Sequence, residues 1–327
     1  MSKALGAVDL TGTGASPISA DLSAVVVAVA DDAPRVLIVR ADDGSPDGLP
    51  AGPLQPRHRT LEAGLRSWVE QQAGQALGHV EQLYTFGDLN RHGDPSAGRS
   101  LSIGYVALVR KARSAATHST AWQSWYHYFP WEDWRSGPPP ICAEIEPRLR
   151  GWAEAAPDAA ERHRRMERLA VTFGLGEAAW NGERVLERYE LLYQSGIVPE
   201  AHRDGASTLS EAAIEAPPMM LADHRRILAT AIGRLRGKIK YRPIVFELMP
   251  PSFTFLQLQR TVEALAGVRL HKPNFRRLVE QQGLIEETGD MATETGGRPA
   301  RQLRFRRDVL LERPAPGVKL PVSRRPA

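Results

Sequence analysis

Apolar and polar residues along this chain switch between two periods, and the switches outline its elements. Ala24–Val29 and Val36–Arg40 are runs rich in β-branched residues, parted by Asp31-Asp32-Ala33-Pro34. They predict a strand hairpin. After a Gly/Pro-rich stretch from Asp43 to Gly52, the spacing of Leu61, Leu65, Trp68 and Val69 predicts a helix over Thr60–Gln72, with Gly74 just beyond its end. Val80–Phe86 and Ser102–Val109 return to strand character, and the alternation of Trp125, His127 and Phe129 predicts a further strand before Pro138-Pro139-Pro140. Helical spacing then takes over in Ala143–Ala153, Ala159–Leu169 and Arg184–Gln194. The last carries a stripe of Val185, Leu186, Tyr189, Leu192 and Tyr193, with Gly196 as its stop. Such a face needs cover, from its own chain or from a second subunit, and the second subunit is the expected partner.

The last hundred residues repeat the helical period three times and then alternate. Asp223–Tyr241 predicts a long helix with Ile227, Leu228, Ile232, Leu235 and Ile239 inward, and with Arg225, Arg226, Arg234, Arg236, Lys238 and Lys240 mostly in water. Pro243–Leu248 can form a short strand. Ser252 is placed to cap the next helix, Phe255–Ala266, whose stripe is Leu256, Leu258, Val262 and Leu265 and whose stop is Gly267. Lys272-Pro273-Asn274 opens another helix, which turns Phe275, Leu278 and Val279 inward. Leu284–Thr288 and Arg301–Arg307 flank a Gly-rich tip, Thr295-Gly296-Gly297-Arg298-Pro299, as a strand pair. This is the order of a winged helix-turn-helix. Lys272, Asn274, Arg276, Arg277 and Gln281 form the outer side of its second helix, where Asn suits an adenine edge and Arg a guanine edge. Arg298 and Arg301 on the wing are placed for phosphate or a minor groove.

Charge sharpens this picture. From Leu221 onward the chain has 21 Lys and Arg against 10 Asp and Glu, whereas the first 220 residues have 21 against 28. An acidic front joined to a basic end suggests a sensing half and a polyanion-binding half, with double-stranded DNA as the expected polyanion. Cys142 is the single cysteine, which excludes a disulfide framework and a cysteine-rich zinc site. No apolar run is long enough to span a membrane, so a cytoplasmic location is expected. Residues 1–20 predict a flexible leader and residues 314–327 a basic disordered end. Four of the seven tryptophans fall in His118–Arg135, namely Trp122, Trp125, Trp131 and Trp134. They suit a packing layer between the front half and the helices after it better than a platform for a ring ligand.

Leu49-Pro50-Ala51-Gly52, the helix that follows and Gly74 resemble the Nudix box, a loop and helix whose glutamates bind magnesium in diphosphate hydrolases. The resemblance is incomplete. The three metal-binding glutamate positions fall on Trp68, Gln71 and Gln72, and the preceding arginine position falls on Ser67. Neutral amides and an indole cannot balance a hard divalent cation. The fold is therefore expected without the hydrolysis and without a metal ion.

Glu81–Asp88, Arg91, Ser102–Val109 and Tyr126–Arg135 extend the likeness. Together with the box and the winged helix, they resemble the Nudix-related transcriptional regulators of NAD biosynthesis, the NrtR group, and most of all its longer alphaproteobacterial NadQ relatives. The resemblance implies an α+β chain: a Nudix-like α/β/α sandwich, a helical insert, then a carboxy-terminal winged helix-turn-helix. Expected boundaries are a sandwich over 21–140, an insert or linker over 141–216 with a possible dimer contact, and a DNA-binding domain over 217–313. The resemblance also implies a homodimeric repressor on a palindromic operator, with no required cofactor. Its effector would be NAD-related: ADP-ribose, NAD, an adenine nucleotide or nicotinate. Arg57, His58 and Arg59, after the Gly52 loop, are the candidate phosphate contacts, although exposed surface is an equal reading. The alternative is an ADP-ribose pyrophosphatase whose metal ligands have shifted to Glu62, Glu70, Glu81 and Asp88.

Overall fold

The computed structural model describes residues 18–40, 44–87, 100–110, 119–205, 217–292 and 299–312. The expected leader, the basic end, the wing-tip Arg298, Asp88 and Arg91 lie outside these residues or mostly so. Residues 206–216 of the expected insert or linker do as well.

The front half is built on one sheet of β1 (Ser19–Ala30), β2 (Ala33–Val39), β3 (Ala51–Pro53), β4 (His79–Phe86), β5 (Ser100–Leu108) and β6 (Thr120–Ser124). Its order is β4-β5-β1-β2-β6, with β3 added to the start of β1. β1 and β5 run parallel and the remaining pairs antiparallel. The β1–β2 turn is tight: Ala30 faces Ala33, and Asp31 and Asp32 both take positive φ, at 52° and 55°. Two left-handed residues match the twist of the flanking strands, and a short polar side chain tolerates that conformation best.

Side chains alternate across β1, so its two faces feed two cores. Leu22, Ala24, Val26 and Ala28 meet Leu65, Val69 and Ala73 of α1 (Leu61–Ala73). Val25 and Val27 face the opposite way, into a larger core. Thr60 caps α1 through the Ala63 amide, and Gly74 ends it at φ 60°.

Four helices follow: α2 (Cys142–Glu154), α3 (Ala159–Phe173), α4 (Val185–Gln194) and the short α5 (Pro199–Arg203). The next helix, α6 (His224–Ile239), was counted with the DNA-binding half. It instead crosses the sheet face opposite α1 and packs on β1, β4 and β5, with Ile227 against Gly104. Its arginines are correspondingly not a solvated stripe. Arg225 and Arg236 are buried, because each is tied to a buried carboxylate. The stripe on α4 packs against α6 of the same chain, so its cover is intramolecular. Trp125, His127 and Phe129 do not form a strand. β6 ends at Ser124, whose hydroxyl caps a 3-10 turn over Trp125–His127, and Pro130–Glu132 forms a second turn. Trp125, Trp131 and Trp134 are buried where sheet, insert and α6 meet, as a packing layer.

The carboxy-terminal part begins with a 3-10 turn at Ile244–Glu247, in place of the strand expected at Pro243–Leu248. It continues with β7 (Phe253–Thr254), α7 (Phe255–Ala266), α8 (Lys272–Gln281), β8 (Ile285–Ala292), β9 (Ala300–Phe305) and α9 (Val309–Glu312). Thr254, not Ser252, caps α7, in a reciprocal box with Gln257. The Ser252 hydroxyl bonds Gln302 on β9 instead. Leu256, assigned to the inward stripe, is exposed. β7, β9 and β8 form a three-stranded sheet, in that order.

Candidate nucleic-acid interface and its sensor domain

Helix α8 is held from one side and open on the other. Phe275 and Val279 are buried, and Phe275 meets Phe255 edge-on at 5.5 Å. Lys272, Asn274, Arg276, Arg277 and Gln281 are all exposed. Arg276 is tethered, with its Nε donating to Glu280 at 2.8 Å and its guanidinium 5.6 Å from the Phe255 ring centre. Arg277 makes no ion pair among the described residues. A free guanidinium, an asparagine and a glutamine on the open side of a second helix are the equipment for reading base edges in a major groove.

The turn that aims α8 is fixed by two side chains that periodicity did not single out. Glu263 accepts the Leu270 amide at 3.0 Å, Arg269 at 2.8 Å and Gln259 at 2.8 Å. Gln259 also donates to the Leu270 carbonyl at 3.1 Å. Burial alone would push the Glu263 carboxyl up. The Leu270 amide, Arg269 and Gln259 outweigh it and hold the group below the ordinary carboxylate range. The sequence holds no local signature of this cluster, because its members come from a helix and from the turn after it.

On the wing, Arg301 is exposed and paired across the strands with Glu287 at 2.5 Å, and Arg304 with Glu286 at 2.7 Å. Such exposed pairs are worth little and release their cations readily to phosphate.

In the sensor domain, the box helix is latched to the loop strand. Gln72 donates from Nε2 to the Ala51 carbonyl at 2.8 Å and accepts the Ala51 amide at 3.2 Å. Trp68 donates its indole N–H to the Pro53 carbonyl at 3.0 Å and lies over Gly52. A Cβ on Gly52 would stand 2.4 Å from the ring. Gln71 is exposed. Two of the three positions at which the box would present carboxylates are therefore spent on holding the loop, and none of the three carries charge. These residues do not fit a magnesium ion. Nor do three His, Cys, Asp or Glu side chains cluster for a metal anywhere among the described residues. Glu62, one of the alternative ligands, is paired with Arg66 at 2.9 Å. Glu81 is bound to Lys238 of α6. Arg57 and Arg59 are exposed beside the loop. His58 between them turns inward: its Nδ1 accepts the Gln55 amide at 3.2 Å, its ring packs over Gly64, and its Nε2 is buried without a hydrogen bond.

The amino-terminal domain and the winged helix are joined by buried polar groups, not by a simple hinge. Glu132, in the aromatic segment, binds Arg188 of α4 at 2.5 and 3.0 Å and Arg236 of α6 at 2.5 Å. Arg236 then donates to the Leu265 carbonyl of α7 at 3.0 Å. Desolvation would raise the Glu132 carboxyl, but the two guanidinium charges and their hydrogen bonds keep it below its ordinary value. The Tyr126 hydroxyl donates to Ala264 at 2.7 Å and the Trp134 amide to Gly267 at 2.7 Å, so the end of α7 rests on the same segment. On the other side, the Leu49 amide of the box loop donates to His224 Nδ1 at 2.9 Å, at the start of α6.

Comparison with known proteins agrees with this layout. Residues 245–305 match the family model of the NrtR DNA-binding winged helix domain. Over 83 residues the chain is 41% identical to the ADPR responsive transcriptional repressor NtrR of Acinetobacter baylyi. That match spans 25% of this chain and 33% of the relative, about a third of its length. Among solved structures, NrtR of Shewanella oneidensis complexed with a 27mer DNA superposes with a TM-score of 0.53 at 18% identity. The superposition covers 88% of this chain and 94% of that one. A MutT/nudix family protein of Enterococcus faecalis gives 0.51 at 13% identity, covering 89% and 87%. The described residues thus have the fold of a Nudix-like domain followed by a winged helix.

Proposed function

We propose that this chain, which joins a Nudix-like domain to an NrtR-type DNA-binding winged helix, is a transcriptional repressor responsive to ADP-ribose. The observation that carries the proposal is the exposed face of α8: Asn274, Arg277 and Gln281 stand open on the second helix of the domain that matches the family model. The effector follows from the name of the Acinetobacter baylyi relative, an ADPR responsive repressor. A phosphate-bearing ligand suits the exposed Arg57 and Arg59 beside the box loop. NAD biosynthesis or salvage genes are the proposed targets.

In this proposal the sensor binds without cleaving. Trp68, Gln71 and Gln72 supply no carboxylate to the position where the box would hold magnesium, so the chain retains a grip on its ligand and no hydrolytic centre. The ligand acts through the box loop. The loop is bonded to His224 on α6, and α6 reaches α7 through Arg236. A ligand shifts this arrangement only by binding one disposition of sensor and reader more tightly than another. A homodimer that places two α8 helices on a palindromic site is part of the same proposal. Among the described residues no helix is long and apolar enough to cross a membrane. A cytoplasmic location is part of the same proposal.

The test is a gel shift on the promoter of an adjoining NAD-synthesis gene, with and without ADP-ribose. A retarded, sequence-specific complex that responds to ADP-ribose supports the function. Absence of any specific complex refutes it.

A further inference from the structure

We propose that the cleft between the helical insert and the α7–α8 turn is a second small-molecule site, one that takes a largely apolar molecule carrying a negative charge. The cleft encloses about 760 Å³. Small-molecule pockets generally fall between about 300 and 1,000 Å³. It lies away from the box loop, and neither Trp68 nor Arg57 lines it.

Two features define the ligand. The walls are apolar and partly aromatic, with Trp134, Trp180, Val171, Ala178, Val268 and Leu270 lining them. The Trp134 and Trp180 rings stand 5.0 Å apart at 53° and form a nearly buried floor, with the Arg188 guanidinium 4.0 Å over the Trp180 ring. The rim is cationic. Arg184, Lys240 and Arg269 reach it, and Glu183 is the sole acidic residue of the lining among the described residues. These cations hold Glu187 at 2.9 Å, Glu183 at 2.6 Å and Glu263 at 2.8 Å. Their own side chains are 33%, 40% and 62% exposed. The Arg184 and Lys240 pairs, open to water on both sides, are weak, and an incoming anion shares or replaces them at little cost. Arg269 keeps its hold on the buried Glu263 and adds charge to the rim. Apolar walls and a cationic rim together select an amphipathic anion, with a nucleotide and an aromatic carboxylate as the two classes to be told apart.

The position gives the site a consequence. Val268, Arg269, Leu270 and His271 form one wall and also make up the turn from α7 to α8, with His271 at the cap of α8. A molecule wedged there presses directly on the aim of the reading helix. This consequence rests on the DNA-binding reading above, whereas the site itself does not.

The experiment is a fluorescence titration of the full chain with anilinonaphthalene sulfonate, a largely apolar anion, in the absence of DNA. The parent is expected to show saturable binding. Ala179→Trp, which adds an indole at the exposed edge of the cleft, is expected to weaken it roughly tenfold by filling the space. Lys240→Glu is expected to weaken it severalfold by reversing rim charge at an exposed pair, with circular dichroism confirming that both variants fold. Adenosine monophosphate and benzoate serve as competitors. Displacement by the first identifies a nucleotide site and by the second a carboxylate site. The proposal is overturned if the parent shows no saturable binding, if both folded variants bind the dye like the parent, or if neither competitor displaces it. Should Ala179→Trp fail to fold, Lys240→Glu decides alone. Because no DNA is present, failure here leaves the gel-shift test of the main function untouched.

Discussion

Gln72 grips Ala51 with both ends of its amide, accepting the backbone N–H and donating to the carbonyl. A carboxylate at that position could accept but not donate, so the latch depends on the same substitution that removes charge from the box. The Gln72→Glu variant should lose one of the two bonds and gain no turnover. Incubation with ADP-ribose and magnesium, followed by chromatography, should show no adenosine monophosphate from the parent or from this variant. Robust release that Glu70→Gln abolishes would establish the pyrophosphatase alternative.

The neighbouring contact, Trp68 over Gly52, is testable by stability alone. A methyl group at position 52 must push the indole away from its Pro53 bond. Gly52→Ala should cost about 1–3 kcal/mol by overpacking. Differential scanning calorimetry should show a drop of several degrees in Tm, and an unchanged Tm would disprove the close contact.

Arg276 and Arg277 are adjacent in sequence and differ in partners, so they should differ in effect. Arg277→Ala should cost about 1–3 kcal/mol of operator binding and relax specificity. Arg276→Ala, already tethered to Glu280 and stacked near Phe255, should cost less. Arg301→Ala should weaken binding evenly across sequences and lower the salt slope by about 1. Fluorescence anisotropy on specific and scrambled duplexes separates these outcomes. Equal losses for Arg276 and Arg277 would remove the distinction.

Glu132 makes the join between domains sensitive to acid, and Glu263 does the same for the α7–α8 turn. Both carboxyls are held below the ordinary value of 4.5. Their stabilisation is therefore complete above that value and is lost as the pH falls through their lower native values. Tm should decline below about pH 4.5, the ordinary value itself. Removing the shared carboxylate by Glu132→Ala leaves two buried guanidinium groups facing each other, at a cost of about 3–5 kcal/mol. A folded Glu132→Ala protein with parental Tm would show that the triad is not structural.

Legibility in the sequence followed the range of the interactions. The β1–β2 hairpin, α1 with its Gly74 stop, and the order of α7, α8 and the wing strands were legible because period and stop signals are local. The exposed residues of α8 followed from the same spacing. The role of α6 was not legible. A helix with arginines on several sides reads as solvated, and only the fold reveals that Glu200 and Glu132, distant in sequence, bury Arg225 and Arg236. The segment after Ser124 alternates like a strand, yet the Ser124 cap and Pro130 turn it into two 3-10 turns. The Glu263–Gln259 clamp on the reading turn escaped for the same reason as α6, since its energy lies in contacts between segments.

Coupling between the sensor and α8 is tested most directly by measuring ADP-ribose affinity calorimetrically, with and without saturating operator DNA. Linkage requires DNA to change that affinity by the same factor by which ADP-ribose changes DNA binding, a factor of roughly 5–150 for ordinary coupling energies. Matching factors above about fivefold are predicted. An ADP-ribose affinity unaltered by DNA would contradict the account.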